Sequence, residues 1–306
     1  MIHINQTSHW NLTFIGTGTE MKNLYIMVTL AIVAASCQRI IVDEGNDIST
    51  DGYTVFTVDI EEVELCEGEQ YGNRWQDGTR IGVFGSATNV PYYLKRDDAG
   101  KVQALFYGSI VKGEEILACC PRLEGMELEN GFMPCELPSV QPHLQGALES
   151  FMNVSRYSFA RLEDGFLHFR YPFGILELQF HFDDAIDIQG LELMSDKAVS
   201  GRMFIDGSGI VHPSGIGNEY IRLDFADRQV STVSEGKYTS FFFVLPPALY
   251  EKGELRIRVS ATSETFEVKL GQIEVPRVKM NNLSVANVIV ETSQLPGFDK
   301  ETGVLE

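Results

Sequence analysis

The sequence predicts an all-β protein built as two antiparallel β-sandwiches in tandem. Three observations carry this reading. Apolar and polar residues alternate in one short segment after another, turn-forming Gly/Asp clusters separate those segments, and no window sustains an amphipathic helix longer than two turns. A segment with period two buries one face, and many such segments at short spacing satisfy their hydrogen bonds by pairing into packed sheets.

Residues 53–133 form the first predicted sandwich. YTVFTVDI (53–60) turns Phe56, Val58 and Ile60 inward and alternates them with Thr57 and Asp59. IGVF (81–84) reads as a buried strand, and VQALFY (102–107) and ILACC (116–120) as strands, with QDG (76–78) and DDAG (97–100) as turns. Pro134, Pro138 and Pro142 then fall within nine residues, together with Ser139 and Gln141. Proline has no N–H for a ladder, so 134–154 is predicted to be a linker rather than a central strand. LQGALESFM (144–152) comes closest to a helix. The second sandwich is predicted over 155–290. ILELQFHF (175–182) directs Leu176, Leu178, Phe180 and Phe182 to one face and Glu177, Gln179 and His181 to the other. The same device recurs at 219–225 (Ile221, Leu223, Phe225), 255–260 (Leu255, Ile257, Val259) and 266–270 (Phe266, Val268, Leu270). Residues 291–306 are a tail. There is no internal repeat and no low-complexity tract.

The N-terminal region has a different character. Leu24 to Ala35 contains only Thr29 as a clearly polar residue. Such a segment covers about 18 Å as a helix, against about 30 Å of hydrocarbon, which suits a signal peptide and not a membrane span. Lys22 supplies the positive flank, and Ala34, Ala35 and Ser36 are the small residues a signal peptidase needs before Cys37. The arrangement resembles the bacterial lipobox. It implies cleavage before Cys37 and attachment of lipid, palmitate among its acyl chains, to that cysteine. Met1 to Glu20 is unlike a signal, so translation is expected to begin at Met21. Residues 37–52 would then be a tether. Gln38 is not an inner-membrane retention aspartate, and Asp43 and Glu44 follow, so outer-membrane placement with surface exposure is expected.

Charge and composition exclude several function classes. The chain has 24 Lys and Arg against 43 Asp and Glu, a net charge of −19. Such a chain repels phosphate backbones, so nucleic acid is not an expected partner. Membrane attachment would have to come from acyl chains. Cys66, Cys119, Cys120 and Cys135 show no C-x-x-C spacing and no nearby histidine, so no metal site or cofactor is expected. One disulfide among these four is open, as is burial as free thiols. Adjacent on a strand, Cys119 and Cys120 should face opposite ways. His168 and His181 lie on strands, and no nucleophile elbow, P-loop or H-E-x-x-H occurs. A glycosidase pair of carboxylates needs no sequence proximity, yet a sugar-cleaving cleft usually brings aromatic platforms, and Trp75 is the one tryptophan after residue 36. The chain is not expected to be an enzyme.

Four landmarks occur in order: RWQDGTRIGVFG (74–85), YGSIVKGEEILACCPRLEG (107–125), FARLEDGFLHFRYPFGILELQFHF (159–182) and YTSFFFVLPPALYEKGELRIRVS (238–260). Behind a lipobox, this series resembles the fimbrillin-like pilins and pilus-associated lipoproteins of the type V pilus system. The resemblance covers roughly 53 to 290. Two motifs depart from it: the usual Gly-Asp is inverted as Asp77-Gly78, and the aromatic-Pro element is Ala118-Cys119-Cys120-Pro121. The resemblance implies Ig/transthyretin-like sandwiches and assembly with other pilus subunits at the fimbrium. In such subunits a protease removes an N-terminal strand, and a neighbour's extended strand fills the groove. The alternative class is a lipid-anchored glycan-binding module of an outer-membrane nutrient-uptake system.

Where such processing would fall follows from charge. Between Ile40 and Asn73 there is no Lys or Arg, while ten acids fall there. A protease specific for basic residues therefore acts at Arg39, shedding only the lipid, or at Arg74, which also separates YTVFTVDI. Arg74 is equally readable as a surface arginine before a core tryptophan. LSVANVIV (283–290) is either a donor strand or the last strand of its own sheet.

Overall fold

Alternating side chains make each short segment one face of a pleated sheet, and the computed structural model assembles such segments into five sheets among the described residues. These are residues 53–60, 74–85, 89–113, 115–155, 157–181, 186–225, 230–232, 237–261, 265–279 and 283–291. In chain order the elements are β1 (Tyr53–Ile60), β2 (Arg80–Phe84), β3 (Val90–Leu94), β4 (Ala104–Ser109), β5 (Leu117–Cys120), β6 (Met133–Leu137), β7 (Val140–Pro142) and the helix α1 (Ala147–Val154). Then come β8 (Ser158–Glu163), β9 (Phe166–Phe169), β10 (Gly174–His181), β11 (Ile186–Ser195), β12 (Ser200–Ile205), β13 (Val211–Asn218), β14 (Tyr220–Asp224) and β15 (Val230–Thr232). The last are β16 (Thr239–Leu245), β17 (Ala248–Tyr250), β18 (Leu255–Ala261), β19 (Thr265–Lys269), β20 (Ile273–Val275) and β21 (Val285–Glu291). All lie in the compact unit Asp47–Glu306.

The first sheet closes on itself in the order β1-β4-β3-β2-β5-β8-β9. Strands β8 and β9 come from the stretch the sequence assigns to the second sandwich. They pair with β5 and β1 instead, so this sheet reaches to Phe169 and does not end at 133. The expected linker is also structured, since 134–154 holds most of β6, all of β7 and α1. The prolines still act as their chemistry requires. Each of these strands takes an edge, β6 beside β12 and β7 beside β14, where a missing N–H costs no ladder bond.

Three apolar clusters fill the body. Phe56, Val58, Trp75, Tyr92, Phe106 and Phe169 pack inside the closed sheet. A second cluster joins Phe84, Leu117 and Phe159 on the outer face of β2, β5 and β8 to residues of β6, α1, β12 and β16. The third holds the alternating residues read from sequence, including Leu176, Leu178, Phe180, Ile221, Leu223, Leu255, Ile257, Val259, Phe266 and Val268. Phe182 lies outside the described residues. Strands β2, β5 and β8 are therefore covered on both faces. By contrast β1, β4 and β3 present Val55, Tyr107 and Tyr93 to solvent.

Two local expectations meet their geometry. Gly78 takes φ +79° in the turn where Thr79 N–H donates to Gln76 O, which is the left-handed position the inverted Asp77-Gly78 pair supplies. Strand β16 stops at Leu245 before Pro246-Pro247, and the buried Tyr250 hydroxyl donates to the Pro246 carbonyl.

Cys119 and Cys120 do face opposite ways, Cys119 into the middle cluster and Cys120 against the closed sheet's interior. Cys119, Cys120 and Cys135 are free thiols, and burial pushes Cys120 and Cys135 up to about 12. Thiolate is the reactive form. Native-state alkylation followed by peptide mass mapping should therefore leave Cys120 and Cys135 unlabelled, with labelling only in denaturant.

Candidate functional site

The residues singled out around YTVFTVDI converge on the seam of the closed sheet. β1 pairs antiparallel with β4, from Tyr53 opposite Ser109 to Val58 opposite Ala104. It pairs parallel with β9, from Thr57 opposite Phe166 to Ile60 opposite Phe169. Without β1 the sheet opens, and both β4 and β9 present unpaired backbone donors and acceptors. Phe56 is 5% exposed and Val58 0%. The Phe56 ring lies 5.2 Å from that of Tyr92. Ile60 is in the strand, but its side chain lies outside the described residues, as do Cys37, Ala34, Ala35, Ser36 and Arg39.

Arg74 directly precedes the buried Trp75. It is exposed, and its Nη1 donates to the Gly100 carbonyl at 2.9 Å. One residue further the chain is anchored. Trp75 N–H donates to Lys101 O and Trp75 O accepts from Gly100 N–H, while the indole N–H donates to Val102 O at 2.8 Å. The Trp75 ring meets Phe106 and Phe169 edge-on at 4.9 and 5.7 Å. The bond after Arg74 thus borders a fixed point at Trp75.

Asp98, which sequence reasoning passes over as part of a turn, secures the receiving side of that anchor. Its carboxylate accepts from Lys101 Nζ at 2.6 Å and from Leu105 N–H at 3.0 Å, so it ties the 96–101 turn to β4. The Lys101 hydrogen bond holds its pKa below the ordinary carboxylate range. A depressed folded-state pKa stabilises above the unfolded value of about 3.9 and is lost as pH falls through the folded value. Asp98→Ala should cost about 2 kcal/mol at neutral pH. In urea melts the gap from the parent should narrow progressively below about pH 4; a gap that stays constant in acid would refute the assignment.

Other sequence candidates are dispersed. His168 stacks on Phe166 at 5.8 Å in β9, and His181 on Tyr238 at 4.7 Å beside β16. β21 lies parallel to β10 at the edge of its own sheet, Ile175 opposite Val285 through His181 opposite Glu291. Among the described residues no group of three or more His, Cys, Asp or Glu is placed to hold a metal ion, and no helix is long and apolar enough to cross a membrane. Sequence reasoning also misses Gln141. Set between prolines, it reads as loop, yet it is buried and bonded across 103 residues to Val244. Only its company of buried strands marks it.

No protein-family model matches the chain, and no curated protein does. Solved structures do. A candidate cell adhesion protein from Bacteroides ovatus is 16% identical, with 80% of this chain and 95% of the other covered and a TM-score of 0.48. The fimbrial anchor protein of Porphyromonas gingivalis is 12% identical over 78% of this chain and 90% of its own, with a TM-score of 0.36. The tip fimbrial protein of the same organism, truncated at its C terminus, is 9% identical over 71% and 81%, with a TM-score of 0.36. These are distant likenesses, and fimbrial proteins, the class the sequence landmarks resemble, are among them.

Proposed function

We propose that the chain is a pilus subunit exported as a surface lipoprotein, carried to the outer membrane through lipid on Cys37 and, once a cut at Arg74 sheds that lipid together with β1, assembled by exchange of the strand that fills the β1 slot. One observation carries the reading. β1 is the closing strand of the first sheet, paired with β4 on one side and β9 on the other, and Arg74, the first basic residue after it in the sequence, is exposed. A strand slot flanked by β4 and β9 offers main-chain partners on both sides and an apolar interior, which is what an incoming strand of another subunit needs. The stretch between Ile60 and Arg74 is acidic and glycine-bearing, the composition of a processing loop. In this reading the N-terminal domain is the closed sheet, 53–120 with 158–169, and the remaining sheets form the C-terminal one. LSVANVIV serves as a donor only by leaving β10.

Two experiments test this. The folded chain is treated with an arginine-specific protease. A single cut at Arg74 followed by concentration-dependent oligomers is expected; resistance at Arg74 overturns release of β1. Separately, Cys37→Ala should move the protein from the outer-membrane fraction to the soluble fraction. An unmodified N-terminal residue other than Cys37 in membrane-extracted protein overturns the lipid anchor.

A further inference from the structure

A row of exposed side chains crosses the first sheet on its outer face. Val55 of β1 lies opposite Tyr107 of β4, Tyr107 opposite Tyr93 of β3, and Tyr93 opposite Arg80 of β2. Val55 is 48% exposed, Tyr107 43% and Tyr93 40%. The two phenol rings have centroids 6.2 Å apart and tilt by 35°. The Arg80 guanidinium carbon sits 5.4 Å from the Tyr93 centroid. Lys95, two residues along from Tyr93, is also exposed, and its N–H donates to Leu105 O, which sets it beside β4. Neither Arg80 nor Lys95 is in an ion pair among the described residues, although 43 acids are available in the chain.

We infer that this face binds a glycan through a terminal carboxylate-bearing sugar, the ring on Tyr93 and Tyr107 and the carboxylate on Arg80 and Lys95. Three features select this occupant. Strands β2, β3 and β4 are each paired on both sides, so no main-chain groups are free for a peptide to add as a strand. Recognition must come from side-chain tips, and these are the Tyr107 ring, the Tyr93 ring with the Arg80 guanidinium over one of its faces, and the Lys95 cation. An aromatic face carries a partial negative charge that suits the C–H face of a pyranose, and an arginine presents a fork matched to a carboxylate. A second copy docked on this same face would set Arg80 and Lys95 against their own counterparts. A single terminal carboxylate brings one charge, and the local cations outweigh the long-range field once salt screens it over about 10 Å. The proposal goes beyond strand exchange. Its essential residues lie on β2, β3 and β4 and on the turn after β3, so it holds whether β1 or an incoming strand fills the slot beside β4.

Binding of the intact full chain to immobilised sialyllactose and to digalacturonate tests it, with lactose and the methyl esters of both acids as neutral controls. At least one acid form should bind, and its ester and lactose at least tenfold more weakly. Arg80→Gln, Tyr93→Ala and Tyr107→Ala should each weaken binding about tenfold, with unchanged melting temperature and sedimentation. Tyr238→Ala, an exposed aromatic elsewhere, should leave it unchanged. The inference is overturned by failure to bind either acid, by equal binding of acid and ester, by tyrosine variants that bind normally, or by variants that alter only self-association.

Discussion

Val58→Asp should unseat β1 and open the first sheet while the rest of the body stays folded. Val58 is fully buried, opposite Ala104 on one side and Leu167 on the other. A carboxylate there has no cation beside it in a cluster of Phe56, Trp75, Phe106 and Phe169. Burying such a charge costs several kcal/mol, and the burial of Phe56 and Val58 is worth about 3–6 kcal/mol in all. The substitution therefore cancels most of what holds β1 in its slot. Hydrogen exchange reads the result residue by residue. The β4 and β9 amides that face β1 should lose protection by two or more orders of magnitude, in keeping with about 3 kcal/mol. Amides of β10, β16 and β18, around the third cluster, should keep theirs. Cleavage at Arg74 should also accelerate. Loss of protection everywhere at once would mean that β1 is inseparable from the fold, and strand exchange would fall with it.

The same strand marks how far the sequence could be read. Period two placed Phe56, Val58, Leu176, Leu178, Phe180, Ile257 and Val259 inward, and they are buried, because alternation is a property of the local chain that any sheet must respect. Sheet membership is not local. Nothing in SFARLE or FLHF records that β8 joins β5 and β9 closes on β1; that follows from which edges remain free once all strands are present. The proline-rich stretch misled for a related reason. Proline forbids a central strand but not an edge strand, and β6 and β7 are edges. The aromatic row was half legible. VQALFY alternates Ala104 and Phe106 inward, which leaves Tyr107 outward, but its meeting with Tyr93 and Arg80 depends on registers that no spacing prints.

Gln141→Met should lower stability by about 3–4 kcal/mol, the largest effect expected from a residue that the sequence places in a linker. Gln141 is 1% exposed. Its Nε2 donates to Val244 O at 2.7 Å and to Pro138 O at 3.3 Å, and its Oε1 accepts from Val244 N–H at 2.9 Å. The amide thus acts as one residue of a missing strand, satisfying both main-chain groups of Val244 in β16 and fastening β7 to it. Methionine nearly keeps the volume and removes all three bonds. It leaves the Val244 N–H and C=O buried without these partners, each at about 1–3 kcal/mol, while the packing of the side chain is largely kept. Gln141→Glu separates the two halves of the pair. A carboxylate still accepts from Val244 N–H but meets Val244 O without a donor, so above the usual carboxylate range it should destabilise as well. In acid the protonated form regains a donor, so the deficit should shrink as pH falls. Urea midpoints for both variants across that range provide the measurement. A Gln141→Met protein within about 1 kcal/mol of the parent would show that Val244 finds other partners and that the clamp between β7 and β16 is not needed.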